Sequence, residues 1–465
     1  MKKYILLISL FGFLSCNLNL FSQNVTIKGK VQTTEPEPLI RLITFDEMLT
    51  GEKTTIFETK ADTEGNFTIE IDIDETTLAQ IAVNLERTDI LLSPNSSYDI
   101  DIVIPRQESN TSYFEREKPT LKMNEVNDDG LYFQYHMSNM IIDDFLLNNF
   151  NQIYRSRKIS LLDSLDAEIN KELGEIKSDF VKDNIRYRKA AIQMVINNDN
   201  AKKVINQHFN KQDILYSQPA YMDLFQEIFT DYLSSNQFSP SDISNNLYTN
   251  YDSFLKYVKE KDAFLAENQN LAEIIIAWNL KRMYYEMPND KKQIIGYLDL
   301  SSKRSKNSKN KEVIDNIIKQ INHLSFNSDA PQFSLRDNNG NDIKLSDYKD
   351  EVILVQFVNQ TSPMIDRQFE MLKELSQQWQ ENIKIITVAT KESFKDFTQL
   401  FDNKEYNWTL LNLGNDILLL EKYQIKTFPD YVIIGKDNKI GMAPAPAPDQ
   451  YLDFHVKRIY NYYKK

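Results

Sequence analysis

Thiols and imidazoles are the side chains that most often do chemistry near neutral pH, and this chain is short of both. Its 465 residues hold one cysteine, Cys16, and four histidines, His136, His208, His323 and His455, each far from the others in sequence. That count excludes a zinc cluster of the CxxC type, an intramolecular disulfide framework and any mechanism that needs two thiols in one chain. The residue pattern implies no metal and no cofactor. A serine nucleophile would need a positioned base, usually a histidine backed by a carboxylate. Ser362 has no such partner in view: His455 belongs to a terminal helix, and nothing in the sequence places it beside Ser362. The plainer reading makes Ser362 a helix N-cap, with Pro363 at the first helical position, where proline is favoured.

Charge narrows the partners. Lys plus Arg number 54 against 67 for Asp plus Glu, a net charge of −13. Such a chain repels nucleic acid and anionic lipid headgroups, so neither is a natural partner. One basic run, Lys303, Arg304, Lys306, Lys309 and Lys311, carries no interleaved aromatics and reads as a solvated loop before the last helix of a bundle.

The length corresponds to about three domains, and 41% hydrophobic with 26% charged residues is an ordinary globular composition. At the start, a basic Met1-Lys2-Lys3 precedes an uncharged apolar run over 4–14, too short to span a bilayer but long enough for a signal-peptide core. Two processing routes are open. Phe13-Leu14-Ser15-Cys16 looks like a lipobox, which would place a lipid on Cys16; cleavage near Ser22-Gln23 would instead release a soluble protein starting near Asn24. Either route leaves no free thiol, and both predict export to the periplasm or an envelope membrane, with membrane contact only through an anchor at Cys16.

From 25 to 104 the hydrophobic period is two. Val25, Ile27 and Val31 form one set, Phe67, Ile69, Ile71 and Ile73 a second, Ala79, Ile81, Val83 and Leu85 a third, Tyr98, Ile100, Ile102 and Ile104 a fourth. With turn chemistry at 62–66 and 93–96, the pattern predicts a small antiparallel β-sandwich over 24–108. From 113 to 325 the period is helical. Leu162, Leu165, Ile169, Leu173, Ile176 and Phe180 predict one long amphipathic helix; Tyr221–Tyr232, Leu271–Trp278 and Val313–Ile321 carry three more apolar faces, read as bundle core. Ser239-Pro240 and Met287-Pro288 mark helix starts.

After 327 strands and helices alternate. Residues 352–355 are a continuous apolar run, expected of a buried central strand. Phe369, Leu372, Leu375 and Trp379 follow at helical spacing, then strands at 383–388 and 431–434, a turn at Asp437-Asn438 with a further strand at Ile440, and a closing helix. This β-α-β then β-β-α order is a thioredoxin-like layout. The whole chain is therefore expected to be a multidomain α+β protein: signal peptide 1–23, β-sandwich 24–108, helical domain 113–325 and a thioredoxin-like α/β domain 327–465.

Ala330-Pro331-Gln332-Phe333-Ser334-Leu335, Asn338-Asn339-Gly340 and Leu345-Ser346-Asp347-Tyr348-Lys349 resemble the lead-in of the TlpA/ResA-type envelope thiol–disulfide oxidoreductases. Thr427-Phe428-Pro429 resembles that family's cis-proline loop. The resemblance implies a cysteine pair at the first turn of the helix after the central strand, where the helix amino terminus stabilises a thiolate. Here the segment reads Thr361-Ser362-Pro363-Met364-Ile365: Ser362 stands at the attacking position and Ile365 at the resolving one. A hydroxyl does not ionise there and an isoleucine cannot exchange, so the two-thiol reaction is unavailable. What the fold still implies is a groove for an extended peptide, with Thr361, Ser362, Pro363, Phe428 and Pro429 as candidates. The expected function is a redox-inactive thioredoxin-like module that binds or scaffolds an envelope protein or peptide. The rivals are an oxidoreductase or peroxidase using an unrecognised group, and a purely structural envelope protein.

Overall fold

The computed structural model describes residues 24–33, 37–84, 86–105, 117–196, 201–235, 237–379, 382–414 and 416–464. The expected signal segment 1–23, with Cys16, lies outside the described residues, as do Leu85 and Tyr113.

Alternation builds the first region. Strands β1 (Asn24–Gln32), β4 (Asn66–Asp72), β7 (Ser97–Val103) and β8 (Thr120–Asn127) form one sheet in the order β4-β1-β7-β8. A second sheet, in the order β3-β2-β5-β6, comprises β2 (Leu39–Phe45), β3 (Lys53–Lys60), β5 (Thr77–Val83) and β6 (Glu86–Leu92). Val25, Ile27, Ile69 and Ile100 from one sheet meet Ile40, Leu42, Ile81 and Leu92 from the other in a shared core. The pairing is antiparallel except that β1 runs parallel to β7. The sandwich also reaches past the boundary expected at 108. Thr120–Asn127, placed by sequence in the helical region, pairs with β7, and a register shift at Asp99/Ile100 interrupts the alternation that would have disclosed it.

The central region is helical throughout. The single long helix expected from Leu162 to Phe180 is two: α1 (Leu161–Leu173) ends at Gly174, whose φ of 62° with ψ of −137° is a conformation open to glycine alone, and α2 (Asp179–Ile196) starts beyond it. Pro219–Phe229 and Pro240–Thr249 are helices with proline in the first turn, and in the latter Ser239 Oγ accepts from Asp242 N–H. The helix Gln269–Glu286 buries Leu271, Ala272, Ile274, Ile275 and Ile276, so apolar groups surround it and it forms the bundle's centre. The basic run is solvated but is not one loop. Lys303 and Arg304 close the helix Lys291–Arg304, while Lys309 and Lys311 open the helix Ser308–Asn322, capped by Asn307. The sandwich is tied into this bundle. Leu49 enters its core, Met48 N–H donates to Tyr216 C=O at 2.9 Å, and Glu52 pairs with Lys319 at 2.6 Å.

The last region is a sheet of seven strands with helices on both faces, in the order β10-β9-β13-β12-β11-β14-β15. The strands are β9 (Ser334–Asp337), β10 (Asp342–Lys344), β11 (Val352–Val358), β12 (Ile383–Ala389), β13 (Thr409–Asn412), β14 (Asp430–Ile434) and β15 (Ile440–Ala445). Every residue of β11 is buried, as an apolar run at the centre of a two-faced sheet requires. Its partner β12 is parallel and β14 antiparallel. Ile353, Val355 and Phe357 face one core, while Val352 and Leu354 join Leu372, Val456 and Ile459 in the other. The molecule is thus a multidomain α+β protein, with β-sheets first, a helical centre and an α/β domain last.

Candidate functional site

The site expected from the sequence lies where β11 hands over to a helix, Pro363–Trp379. Ser362 Oγ accepts from Ile365 N–H at 3.3 Å and Ser362 C=O accepts from Asp366 N–H at 2.9 Å, so this residue caps the helix with side chain and backbone together. Ile365, only 3% exposed, points into a core with Val358, Phe369 and Phe397. Thr361, Pro363 and Met364 remain exposed around it.

The ladder brings the second half of the site alongside. Asp430 pairs with Phe357 at the end of β14, so continuing that antiparallel register sets Pro429 and Phe428 beside the chain leaving β11. The Phe428–Pro429 peptide bond is cis, and both residues are half-buried. The five groove candidates therefore fall on two neighbouring segments at one end of the sheet. His455 is not joined to them. Its helix, Leu452–Tyr463, packs on β11 and β15, and no hydrogen bond connects a histidine to Ser362 Oγ among the described residues.

Beneath the helix start is a polar layer that sequence reasoning missed. Gln356 is fully buried in β11, and its Nε2 donates to Thr387 Oγ1 at 2.5 Å. The same Thr387 oxygen accepts from Trp408 Nε1 at 2.8 Å, whereas Gln356 Oε1 has no partner among the described residues. Next to this pair, Tyr431 O–H donates to Gln368 Oε1 at 2.8 Å. Burial pushes the Tyr431 phenol well above its ordinary pKa, and the Asp449 and Asp430 charges act in the same sense, so it stays a donor. Burial likewise raises the Asp430 carboxyl, partly offset by the Tyr431 N–H. The one sign of this layer in the sequence is a glutamine interrupting an otherwise apolar strand.

Residues 326–443 match the AhpC/TSA family model. The carboxy-terminal third is a thioredoxin-like domain. Solved structures of similar chains cover a little under a third of this chain. The thioredoxin domain of a thiol-disulfide oxidoreductase from Bacteroides vulgatus is 22% identical, covering 29% of this chain and 98% of that one, with a TM-score of 0.27. A thiol:disulfide interchange protein from Bacteroides sp. is 23% identical over 30% of this chain and 92% of its own, also at a TM-score of 0.27. A thioredoxin-family thiol:disulfide interchange protein from Chlorobium tepidum TLS is 14% identical, covering 29% and 98%, with a TM-score of 0.26. No curated protein matches the chain.

Chemically, the helix start of this thioredoxin-like domain offers exposed apolar surface at Pro363 and Met364. At its first turn stand a capping hydroxyl and a buried hydrocarbon.

Proposed function

We propose that the thioredoxin-like domain is a redox-inactive relative of the TlpA/ResA type that holds an extended segment of another protein in the cell envelope. The observation that carries this reading is the use already made of the two key side chains: the Ser362 hydroxyl caps its own helix and Ile365 fills the core. Disulfide exchange needs an attacking thiolate and a resolving thiol, and Cys16 is the only sulfhydryl residue of the chain. What remains useful is the surface between the helix start and the Phe428–Pro429 segment, where backbone groups and an exposed Met364 can meet a peptide strand. Export of this chain is supported by the basic and apolar amino-terminal run.

Two measurements test it. The purified protein should drive no dithiothreitol-dependent insulin reduction above buffer; turnover that survives extensive purification would overturn the redox-inactive part. A photo-crosslinking amino acid at position 364 of the full chain, expressed in an envelope-bearing host, should capture one defined protein. The same probe at the comparably exposed Tyr248 should not, and identical capture patterns from the two positions would sink the binding part.

A further inference from the structure

Away from the helix start, a cleft of about 610 Å³ opens where all three regions meet. That volume lies within the range typical of small-molecule sites, which favour domain junctions. The sandwich contributes Glu52 and Lys53, the central helices Lys281 and His323, and the last region Asp329 and Lys422.

The charges of the cleft do not cancel. Glu52 accepts from Lys319 at 2.6 Å and from Gln320 at 2.8 Å. Glu421 accepts from Lys53 at 3.2 Å and forms an ion pair with Arg87, and Asp329 accepts from Lys439 at 2.6 Å. Each lining carboxylate thus has a cation of its own. Lys281 and Lys422 have no ion-pair partner among the described residues. Lys281 Nζ donates to Gln320 Oε1 at 2.5 Å and sits 4.6 Å from the Trp278 ring centroid, neutral partners that orient its charge without cancelling it. Burial holds the Lys281 ammonium below its ordinary pKa, against the Glu47 and Glu52 charges. Lys281 is partly desolvated and Lys422 is exposed, and two cations outside any ion pair of the described residues stand together here in a chain whose net charge is −13.

We infer that this cleft binds a small dianion, a phosphate or a dicarboxylate, between Lys281 and Lys422. Two negative charges match the two cations that form no ion pair, and Tyr285 and Pro331 leave an apolar wall for the rest of the molecule. Because Lys281 belongs to the bundle and Lys422 to the thioredoxin-like domain, the ligand bridges two regions. The site is separate from the helix start at Ser362, so its failure would leave the peptide-binding reading untouched, and the reverse.

The test is isothermal titration calorimetry of the full chain at low ionic strength with inorganic phosphate, succinate and acetate. Saturable binding of phosphate, of succinate or of both is expected, with acetate weaker by about tenfold, since a monoanion meets one cation where a dianion meets two. Phosphate alone would assign a phosphoryl ligand and succinate alone a dicarboxylate. Lys281→Met and Lys422→Gln should each weaken the dianion by about tenfold, whereas Lys303→Gln, remote from the cleft, should not. Lys422 is exposed, so its variant keeps the test valid if the Lys281 change disturbs folding. No saturable dianion binding, acetate binding as tightly as succinate, or an unaffected Lys422→Gln protein would each overturn the assignment.

Discussion

At the start of the helix after the central strand, Ser362 serves as a cap and Ile365 as core. The cap bond from Ser362 is worth about 1 kcal/mol in comparable helices, so Ser362→Ala should lower unfolding free energy by about that amount in urea denaturation. Introducing a cysteine pair is the sharper experiment. Side chains three residues apart on one helical turn meet the Cα separation of roughly 4.4–6.8 Å that a disulfide requires. The double variant Ser362→Cys, Ile365→Cys should therefore close a bridge under mild oxidation. The half-exposed thiol at 362 should then titrate below about 8.5, because the helix amino terminus favours its anion. A pair that refuses to bridge, or a thiol with unperturbed alkylation kinetics against pH, would show that this turn is not the equivalent of a redox site. Gln356 belongs to the same scale. Its Oε1 is buried without a partner among the described residues, and Thr387 keeps the Trp408 donor if the amide is lost. Gln356→Leu should accordingly change stability by no more than about 1 kcal/mol. A larger loss in calorimetry would mean the polar layer holds the sheet together.

Among the elements, the turn before β4 is the most exposed to a single substitution. Asp62 accepts from the backbone N–H groups of Glu64 and Asn66, both bonds within 2.9 Å, and Gly65 sits at φ 86°. A Cβ at Gly65 would come within 2.4 Å of Val31 C=O in β1, a backbone atom that cannot move aside cheaply. Gly65→Ala combines that clash with a left-handed backbone, and a loss of about 1–3 kcal/mol in chemical denaturation is expected. A neutral result would mean that the β1–β4 corner can shift as a unit. The helix Ile417–Lys422 is an element of another kind. Its Glu421 takes both Lys53 and Arg87 from the sandwich, so one short helix connects the last domain to the first.

Across the whole molecule, Glu52 reports how the regions are held together. Burial pushes its carboxyl upward, but the hydrogen bonds from Lys319 and Gln320 and the Lys319 and His323 charges outweigh that, leaving its pKa below the ordinary value. A carboxyl with a depressed folded pKa contributes stability that is complete above its unfolded pKa, about 4.3 for glutamate. That stability is lost as pH falls through the lower folded value. Thermal unfolding of Glu52→Gln should consequently lie below that of the parent at neutral pH, and the gap should narrow on acidification below about pH 4.3. A gap that stays constant down to pH 3 would remove the ion pair from the account of how sandwich and bundle are joined.

Local pattern alone determined much of this protein. The period-two stretches are strands, the four apolar helical faces are buried, and the uninterrupted run at 352–355 is the centre of its sheet, because burial on one or both faces imposes those periodicities directly. The single cysteine likewise decided that chemistry needing two thiols in one chain is unavailable. Other features depended on partners far away in sequence. Thr120–Asn127 became a strand only because β7 offered an edge, and its register shift hid the alternation. Residues 162–180 became two helices at one glycine whose backbone angle no periodicity reveals. The Gln356 layer and the Lys281–Lys422 cleft required side chains from several elements to converge. Periodicity records which face of an element is buried; which other element covers that face, and which charges it brings, is settled only when the chain closes on itself.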